Sequence, residues 1–476
     1  MLPKPEGQRA GDGVKSSIFD GSESAAPVMG FNYAIARRAA TLLFLATAAA
    51  LKVPHAPTAQ PRRNAAAPLL KRVASAAVAF SALGAPLVAL PEAALAAKPS
   101  DAATSAGSRV NKDPESLLRN GLPIGGAIGS ATKKAEARKV QQAVEAIKDD
   151  LRAKRIRAAG SDVVKAQTLL GDGSKIAAGA PGPVKDEVKK LLGELTAALD
   201  PIAKILADTG AAGSPQERDS LDKAFAAQAT AADLVSRIEA RLVPAGLKYA
   251  NAPPEFKNVP RLDGRARVEW TMVKKDKGGT FAVDGILYKE AKMEMILDGY
   301  TTPLTSGNFL DLVSKGFYNG MAIQRADGFV VQTGDPDGPD GPLIGYGQDG
   351  DPKKEPRRVP LELFVDGDKA PTYGETTEDG QRGSAQTVLP FQAYGAMGMA
   401  RDEYEADSAS SQFFFLLFDS DLTPAGKNLL DGRYSCFGYT IAGSDFLGAV
   451  EEGDIIKSVK ILKAPPPFGD YKGLDP

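Results

Sequence analysis

Apolar residues between positions 111 and 246 recur at intervals of three and four, which is the period of an amphipathic helix. A second stripe runs through residues 184–206 and a third through residues 221–242. The first stripe consists of Val140, Val144, Ile147 and Leu151. We expect three or more helices that bury these stripes in an antiparallel bundle. The alternative is that these stripes form a zipper that binds a partner protein. Pro201 is expected to kink or divide the second helix.

Beyond a proline-rich linker at residues 247–264, the pattern changes to short apolar or alternating runs separated by Gly, Pro and Asp. Two segments, 303–315 and 444–451, look helical instead. The predicted strands are residues 265–273, 291–297, 329–333, 396–400, 412–418, 434–440 and 455–462. Many strands with two helices predict an antiparallel β-barrel capped at its ends, over residues 265–476. The fold class is therefore α+β, with a helical bundle at 111–246 followed by this barrel.

The N-terminal segment has the pattern of targeting signals. Residues 29–91 contain seven basic residues and neither Asp nor Glu, as in an organelle transit peptide. Lys71-Arg72, an apolar run at 73–90 and Ala94-Leu95-Ala96 then resemble a secretory signal. We interpret residues 1–96 as a bipartite transit and thylakoid-transfer peptide, with Met29 as the expected start. A transmembrane helix is the alternative reading of the apolar run, whose composition is Ala-rich and broken by proline.

The amino-acid composition excludes several kinds of catalysis and binding site. The chain of 476 residues has 58 basic and 59 acidic side chains, which gives no reason to expect a nucleic-acid partner. Its single cysteine, Cys436, excludes an intrachain disulfide, and its single histidine, His55, lies in the presequence. Histidine-based nucleophilic and acid–base catalysis are therefore excluded from the mature chain. The Asp-rich stretch at 335–341 has Pro339 at the third ligand position of a calcium loop, so no metal is expected.

The two modules differ in charge. Residues 111–246 carry 21 basic and 18 acidic groups, whereas residues 247–476 carry 25 and 35. Opposite charge on two modules joined by a short linker favours an intramolecular contact between them. We expect that contact on the barrel beside Leu429 and Leu430, which would supply apolar surface. Two independent domains joined by the linker are the alternative.

A dispersed set of motifs resembles the cyclophilin family. The set occurs in the family's order over residues 265–463, and Asp113 to Arg119 with Leu122-Pro123-Ile124 resembles the large thylakoid-lumen members of that family. The motifs are Thr302-Pro303, Asn308-Phe309, 316–320, Gln324-Arg325, 328–335, Met399-Ala400, 411–414, 430–432 and Phe437-Gly438.

The resemblance implies a cis–trans isomerase of X-Pro bonds, for which no cofactor is needed. Rotation of such a bond is slow because the amide nitrogen shares its lone pair with the carbonyl. Arg325 would be the catalytic cation beside that nitrogen. The substrate-binding residues implied by the resemblance are Phe329, Gln332, Ala400, Gln412, Phe414, Leu430 and Tyr434.

Several positions depart from the family pattern. Arg401 stands where an asparagine is expected, Leu429 replaces a tryptophan and Tyr434 replaces a histidine. These changes favour a lumenal protein that holds photosystem II subunits or other client proteins, with weak or no isomerase activity. Arg325 and Phe414 favour the alternative, an active isomerase that folds lumenal proteins. A third alternative is regulation of a thylakoid membrane phosphatase through the helices. Localisation in the thylakoid lumen, without stable membrane insertion of the mature chain, is expected in each case.

Overall fold

The computed structural model describes residues 111–470 apart from 172, 250, 337–344, 352, 384 and 419–427. The predicted presequence lies outside the described residues, as does most of the 335–341 loop. Within the described part, no helix combines the length and the hydropathy needed to span a bilayer.

Residues 111–246 are helical, as the stripes predict. The helices are α1 (Pro114–Asn120), α2 (Glu136–Arg152), α3 (Ile156–Leu170), α4 (Ser174–Ala178), α5 (Lys185–Ala207) and α6 (Pro215–Arg241). Helices α2, α3, α5 and α6 each pack against two of the others, which makes a four-helix bundle. Val144, Ile147, Leu195 and Leu199 are buried in its core, so these stripes serve packing within the bundle.

Pro201 does not divide α5, which runs through it without a break. Proline removes one backbone N–H donor, so one hydrogen bond is missing on the side of the helix that this residue occupies. Pro201 is exposed, and water can satisfy the carbonyl that lacks its partner.

The C-terminal half is an eight-stranded antiparallel sheet that curls. The strands of this sheet are β1 (Arg265–Val273), β4 (Ala291–Asp298), β5 (Arg325–Ala326), β6 (Val330–Thr333), β9 (Ala396–Met399), β10 (Phe413–Leu416), β11 (Cys436–Ala442) and β12 (Ile455–Lys463). Their spatial order across the sheet is β12-β1-β4-β11-β9-β10-β6-β5. Two short hairpins lie outside it: β2 (Phe281–Val283) with β3 (Ile286–Tyr288), and β7 (Glu362–Leu363) with β8 (Thr372–Tyr373).

Main-chain hydrogen bonds join β12, at one edge of the sheet, to the segment that leads into β5 at the other edge. Gly320 N donates to Ile456 O at 2.7 Å, and Ile456 N donates to Met321 O at 2.8 Å. Inside the curl, Trp270 is fully buried, and its ring lies 5.4 Å from that of Phe413. The core therefore fills the interior of the sheet and leaves the opposite surface of β6, β9 and β10 available for a site.

The predicted strands and caps are confirmed, with local differences. One cap is α7 (Pro303–Ser314), whereas the segment expected to form the other is a 3₁₀ helix at Ser444–Ala449. The two hairpins and β5 were not predicted. Each of those strands has only two or three residues, too few to show a period in the sequence.

Helix α1 lies between the bundle and the sheet. Leu117 and Leu118 belong to one apolar cluster with Phe391 and Tyr439 of the C-terminal half. Arg265, at the start of β1, donates to Leu118 O at 2.6 Å. Of the two leucines expected to supply apolar surface for this contact, Leu430 packs against the same cluster, whereas Leu429 is 36% exposed.

On its other side, α1 is joined to the bundle through Arg119. This side chain is buried, and its Nε donates to Glu145 on α2 at 2.9 Å while Nη1 donates to Ser236 on α6 at 3.1 Å. Because α1 has apolar contacts with the sheet and charged contacts with the bundle, it connects the two halves through packing as well as through the chain.

Glu362 on β7 is buried at the first turn of α7. Its carboxylate accepts hydrogen bonds from Leu304 N at 3.1 Å and Thr305 N at 3.0 Å, and Tyr373 lies directly opposite on β8. Burial raises the pKa of Glu362 to about 7, and these backbone donors only partly offset that effect.

Replacing Leu118 with alanine should lower the free energy of unfolding by about 2 to 4 kcal/mol, because the side chain is almost fully buried. Leu429→Ala, at an exposed position, should change it by less than about 1 kcal/mol. Urea denaturation of both variants checks this. Equal costs for the two substitutions would show that α1 does not pack on the sheet as described.

Glu362 should also make stability depend on pH. Its pKa is higher in the folded chain than in the unfolded chain, so its contribution is complete below about pH 4.5 and is lost as the pH rises through 7. Glu362→Gln removes the titration. Relative to the original protein, this variant should gain about 2 kcal/mol in unfolding free energy between pH 5 and pH 8. A difference that stays constant with pH would contradict the raised pKa.

Candidate functional site

Strand register places three predicted site residues side by side on the outer surface of the sheet. Arg325 on β5 is directly opposite Gln332 on β6, and Gln332 is directly opposite Phe414 on β10. Directly opposed residues of antiparallel strands project from the same face, so the cation, the amide and the aromatic ring share one row. Phe414 is in turn opposite Gly398 on β9.

A cavity of about 240 Å³ lies over this row. Seven of the eight predicted site residues line it. They are Arg325, Gln332, Ala400, Gln412, Phe414, Leu430 and Tyr434. The remaining lining residues of the described part are Val330, Arg401, Asp402, Ser408 and Ser410.

Phe329, the eighth predicted residue, lies outside this set. Its ring stacks on Phe418 at 5.6 Å, while the next residue, Val330, lines the cavity. Successive residues of a strand point to opposite faces, and β6 begins at Val330. The motif implied Phe329 as a site residue, whereas the structure places its neighbour Val330 in the lining of the cavity.

Aromatic rings form the apolar wall of the cavity. Phe414 stacks on Phe391 at 5.8 Å, and Tyr434 meets Phe414 edge to face, also at 5.8 Å. A Cβ atom on Gly398 would lie 2.2 Å from the Phe414 ring, so only glycine lets the ring rest against the β9 backbone. Packed from three sides, the Phe414 ring is a fixed surface against which a proline ring could lie.

Amide side chains form the adjacent polar wall. Gln332 Nε2 donates to Gln412 Oε1 at 3.2 Å, and Gln412 Nε2 donates to Asp335 Oδ2 at 3.2 Å. Asp335 is also held through its main chain, because Gln324 Nε2 donates to Asp335 O at 2.7 Å. This chain of hydrogen bonds orients the two glutamines, whose remaining donors and acceptors suit the backbone of an extended peptide.

Arg325 is paired with Asp327, two residues further along the chain. Its Nε donates to Asp327 Oδ2 at 2.6 Å, and Nη2 contacts the same oxygen. The two side chains are 20% and 26% exposed, so the pair is partly open to water. Asp327 is not among the predicted site residues, although Asp-Gly at 327–328 is a turn signal that predicts a carboxylate folded back on the chain.

Arg401 covers the far rim of the cavity. Its guanidinium lies 5.1 Å from the centre of the Tyr434 ring, and its Nε donates to Arg433 O at 2.9 Å. Burial raises the pKa of the Tyr434 hydroxyl, so this group remains a neutral donor or acceptor at physiological pH. The rim is therefore cationic and polar at positions where the family pattern has an amide and an imidazole.

The arrangement matches the physical needs of rotation about an X-Pro bond. Phe414 would form an apolar wall for the proline ring, the glutamine amides would bind the flanking backbone, and Arg325 would be the cation near the nitrogen whose lone pair localises. None of these roles requires a nucleophile or a proton transfer, because no covalent bond is broken when the peptide bond rotates.

The curled antiparallel sheet with an arginine, an amide and a phenylalanine aligned on its outer surface defines a class of folding isomerases. The chain belongs to the cyclophilin family of peptidyl-prolyl cis-trans isomerases. Residues 285–465 match the family described as "Cyclophilin type peptidyl-prolyl cis-trans isomerase/CLD". Residues 113–243 match a second family, described as "Peptidyl-prolyl cis-trans isomerase CYP38-like, PsbQ-like domain".

Several known proteins are similar to this chain over both its helical half and its cyclophilin half. The chain is 41% identical over 357 residues to the chloroplastic peptidyl-prolyl cis-trans isomerase CYP38 of Arabidopsis thaliana, a match that covers 74% of each chain. It is 37% identical over 353 residues to a thylakoid lumen peptidyl-prolyl cis-trans isomerase of Synechocystis, covering 74% of this chain and 82% of that one. The chloroplastic CYP37 of Arabidopsis thaliana is 34% identical over 310 residues, 64% and 60% of the two chains.

These similarities confirm the predicted family and the predicted localisation in the chloroplast thylakoid lumen. They also agree with the α+β organisation, in which a helical region precedes the cyclophilin sheet. The roles of the individual cavity residues stay predictions.

Arg325→Ala should lower kcat/KM for prolyl isomerisation by roughly 10- to 100-fold, because the cation acts on charge that develops only in the transition state. A protease-coupled peptide assay measures the rate. Arg382→Ala is the matched control, since Arg382 also pairs with an aspartate, Asp368, but lies outside the cavity. An unchanged rate in the Arg325 variant would remove Arg325 from the catalytic role.

Proposed function

We propose that this protein binds proline-containing segments of photosystem II subunits in the thylakoid lumen during assembly and maintenance of the complex, and isomerises them slowly. The observation that carries the proposal is the cavity itself, where Phe414 and the paired amides of Gln332 and Gln412 provide an apolar slot beside peptide-binding groups. Binding an extended segment needs only these fixed surfaces.

The rim supports slow catalysis. Leu429 lies outside the lining of the cavity, and Arg401 with Tyr434 occupies the rim instead. A rim without the tryptophan that the family pattern has in place of Leu429 loses contact area with the substrate, which costs about 1 to 3 kcal/mol where that ring would be buried on binding. A bound segment is then held mainly by the Phe414 side of the cavity.

The client class is supported by the family resemblance of both halves and by the location of the protein. A lumenal protein meets the lumen-facing loops of membrane subunits before these are assembled. The cyclophilin half as a whole carries more acidic than basic groups, which steers basic client segments toward it at long range, although the rim of the cavity itself is cationic.

An active folding isomerase of broad range is the second candidate. Arg325 and Phe414 favour it, because both line the cavity in one cross-strand row with Gln332. The two functions differ in rate and in client range, since a general catalyst would treat proline segments of unrelated lumenal proteins alike.

Fluorescence anisotropy with labelled peptides tests the proposal. Lumen-facing proline segments of photosystem II subunits should bind more tightly than the same segments with Pro→Ala and than proline segments of other lumenal proteins. Gln332→Ala should weaken that binding by roughly 3- to 10-fold, the effect of losing one buried hydrogen bond. Gln348→Ala, at an exposed glutamine outside the cavity, should leave it unchanged.

Two results would contradict the proposal. Binding that does not depend on the proline or on Gln332 would show that the cavity is not the site. Equal affinity for photosystem II segments and for unrelated lumenal segments, together with fast isomerisation of both, would favour the general folding catalyst.

A further inference from the structure

Asp327 occupies the tight turn between β5 and β6. Its Oδ1 accepts hydrogen bonds from the backbone N–H of Phe329 at 3.0 Å and of Val330 at 3.1 Å. This is the geometry of an Asx turn, in which an aspartate side chain stands in for a backbone acceptor. Gly328 completes the turn with a φ of +79°, a backbone conformation that favours glycine.

The second carboxylate oxygen of Asp327 faces Arg325. Only residues 327–329 separate β5 from β6, so the chain reverses at once and brings the carboxylate back over the strand that carries the arginine. Nε and Nη2 of Arg325 both contact Asp327 Oδ2, and the Nε distance is 2.6 Å. One oxygen thus builds the turn while the other holds the guanidinium.

The other polar residues around Arg325 form hydrogen bonds with groups other than this arginine. Gln332, directly opposite on β6, directs its amide nitrogen to Gln412. The lining residue Arg401 donates to main-chain oxygens of Arg433, Asp402 and Glu403. Asp402, which also lines the cavity, accepts the N–H of Tyr404 at 2.8 Å. The direct ion pair of Arg325 within the described part of the chain is therefore the one with Asp327.

We propose that Asp327 is a positioning residue that restrains and neutralises Arg325, so that the cavity holds proline segments but stabilises the twisted peptide bond weakly. This inference rests on the proposed function. Transition-state stabilisation needs a cation aimed at the nitrogen lone pair. A carboxylate in contact with the guanidinium turns that cation into a neutral pair, whose field falls off faster with distance than that of a single charge. It also occupies the Nε–H donor of the arginine.

Asp327→Asn separates the two roles of the residue. Asparagine keeps a side-chain oxygen for the Asx turn and removes the negative charge. We expect kcat for a Xaa-Pro peptide to rise about three- to tenfold while KM stays within about twofold, because the freed cation acts only in the transition state. A purely structural role in the turn would leave kcat unchanged, since the turn persists.

Matched variants complete the test. Asp351 lies outside the cavity, and its Oδ1 likewise accepts a hydrogen bond from a backbone N–H, that of Lys353. Asp351→Asn removes the charge of this residue and should leave kcat unchanged. In an Arg325→Ala background, Asp327→Asn should give no increase, because the carboxylate would act through the arginine alone. Serine also forms side-chain turns of this kind. Asp327→Ser is therefore the second variant if Asp327→Asn unfolds at a lower temperature than the original protein.

The outcomes separate this inference from the proposed function. A rise in kcat that requires Arg325 supports both. Peptide binding that depends on proline and on Gln332, with kcat unchanged or lowered in Asp327→Asn, overturns the role of Asp327 and leaves the binding function standing. Absence of peptide binding by the full mature chain and by each variant overturns both.

Discussion

The register between β6 and its two neighbours is the constraint on which the site depends. Because Gln332 is opposite Arg325 on one side and opposite Phe414 on the other, three different chemical groups lie in a single row. A slip of one residue in either pairing would turn one member of the row to the packed interior. The register is held by that interior, where Phe413 and Phe415 alternate with Phe414 and pack against Trp270.

Most of the architecture could be predicted because long elements carry a clear period. The strand at 265–273 was predicted with the same bounds that the structure has, and its residues 267–272 pair with a neighbouring strand on each side. Short elements could not be predicted in this way. The hairpin of Phe281–Val283 and Ile286–Tyr288 has two three-residue strands, and all three residues of β3 are apolar and exposed, so they show no alternation of polar and apolar positions.

The candidate site was predicted from motif positions, which identify segments better than side-chain directions. Phe329 and Val330 are adjacent in the motif, and only the start of β6 decides which of them lines the cavity. The pairing of Arg325 with Asp327 depends on the length of one turn. The contact between Arg401 and Tyr434 depends on how the fold brings together two segments that are 33 residues apart in the sequence. Such contacts follow from backbone geometry that a motif does not encode.

Gly398 has a consequence for how this cavity can vary. Any larger residue at that position would meet the Phe414 ring, so on this side the ring rests on β9 main chain. Main chain offers the same shape and the same polar groups whatever residues occupy the neighbouring positions. The support of the ring on this side is thus insulated from substitutions along β9, and changes in ligand preference fall to the side chains that line the rest of the cavity.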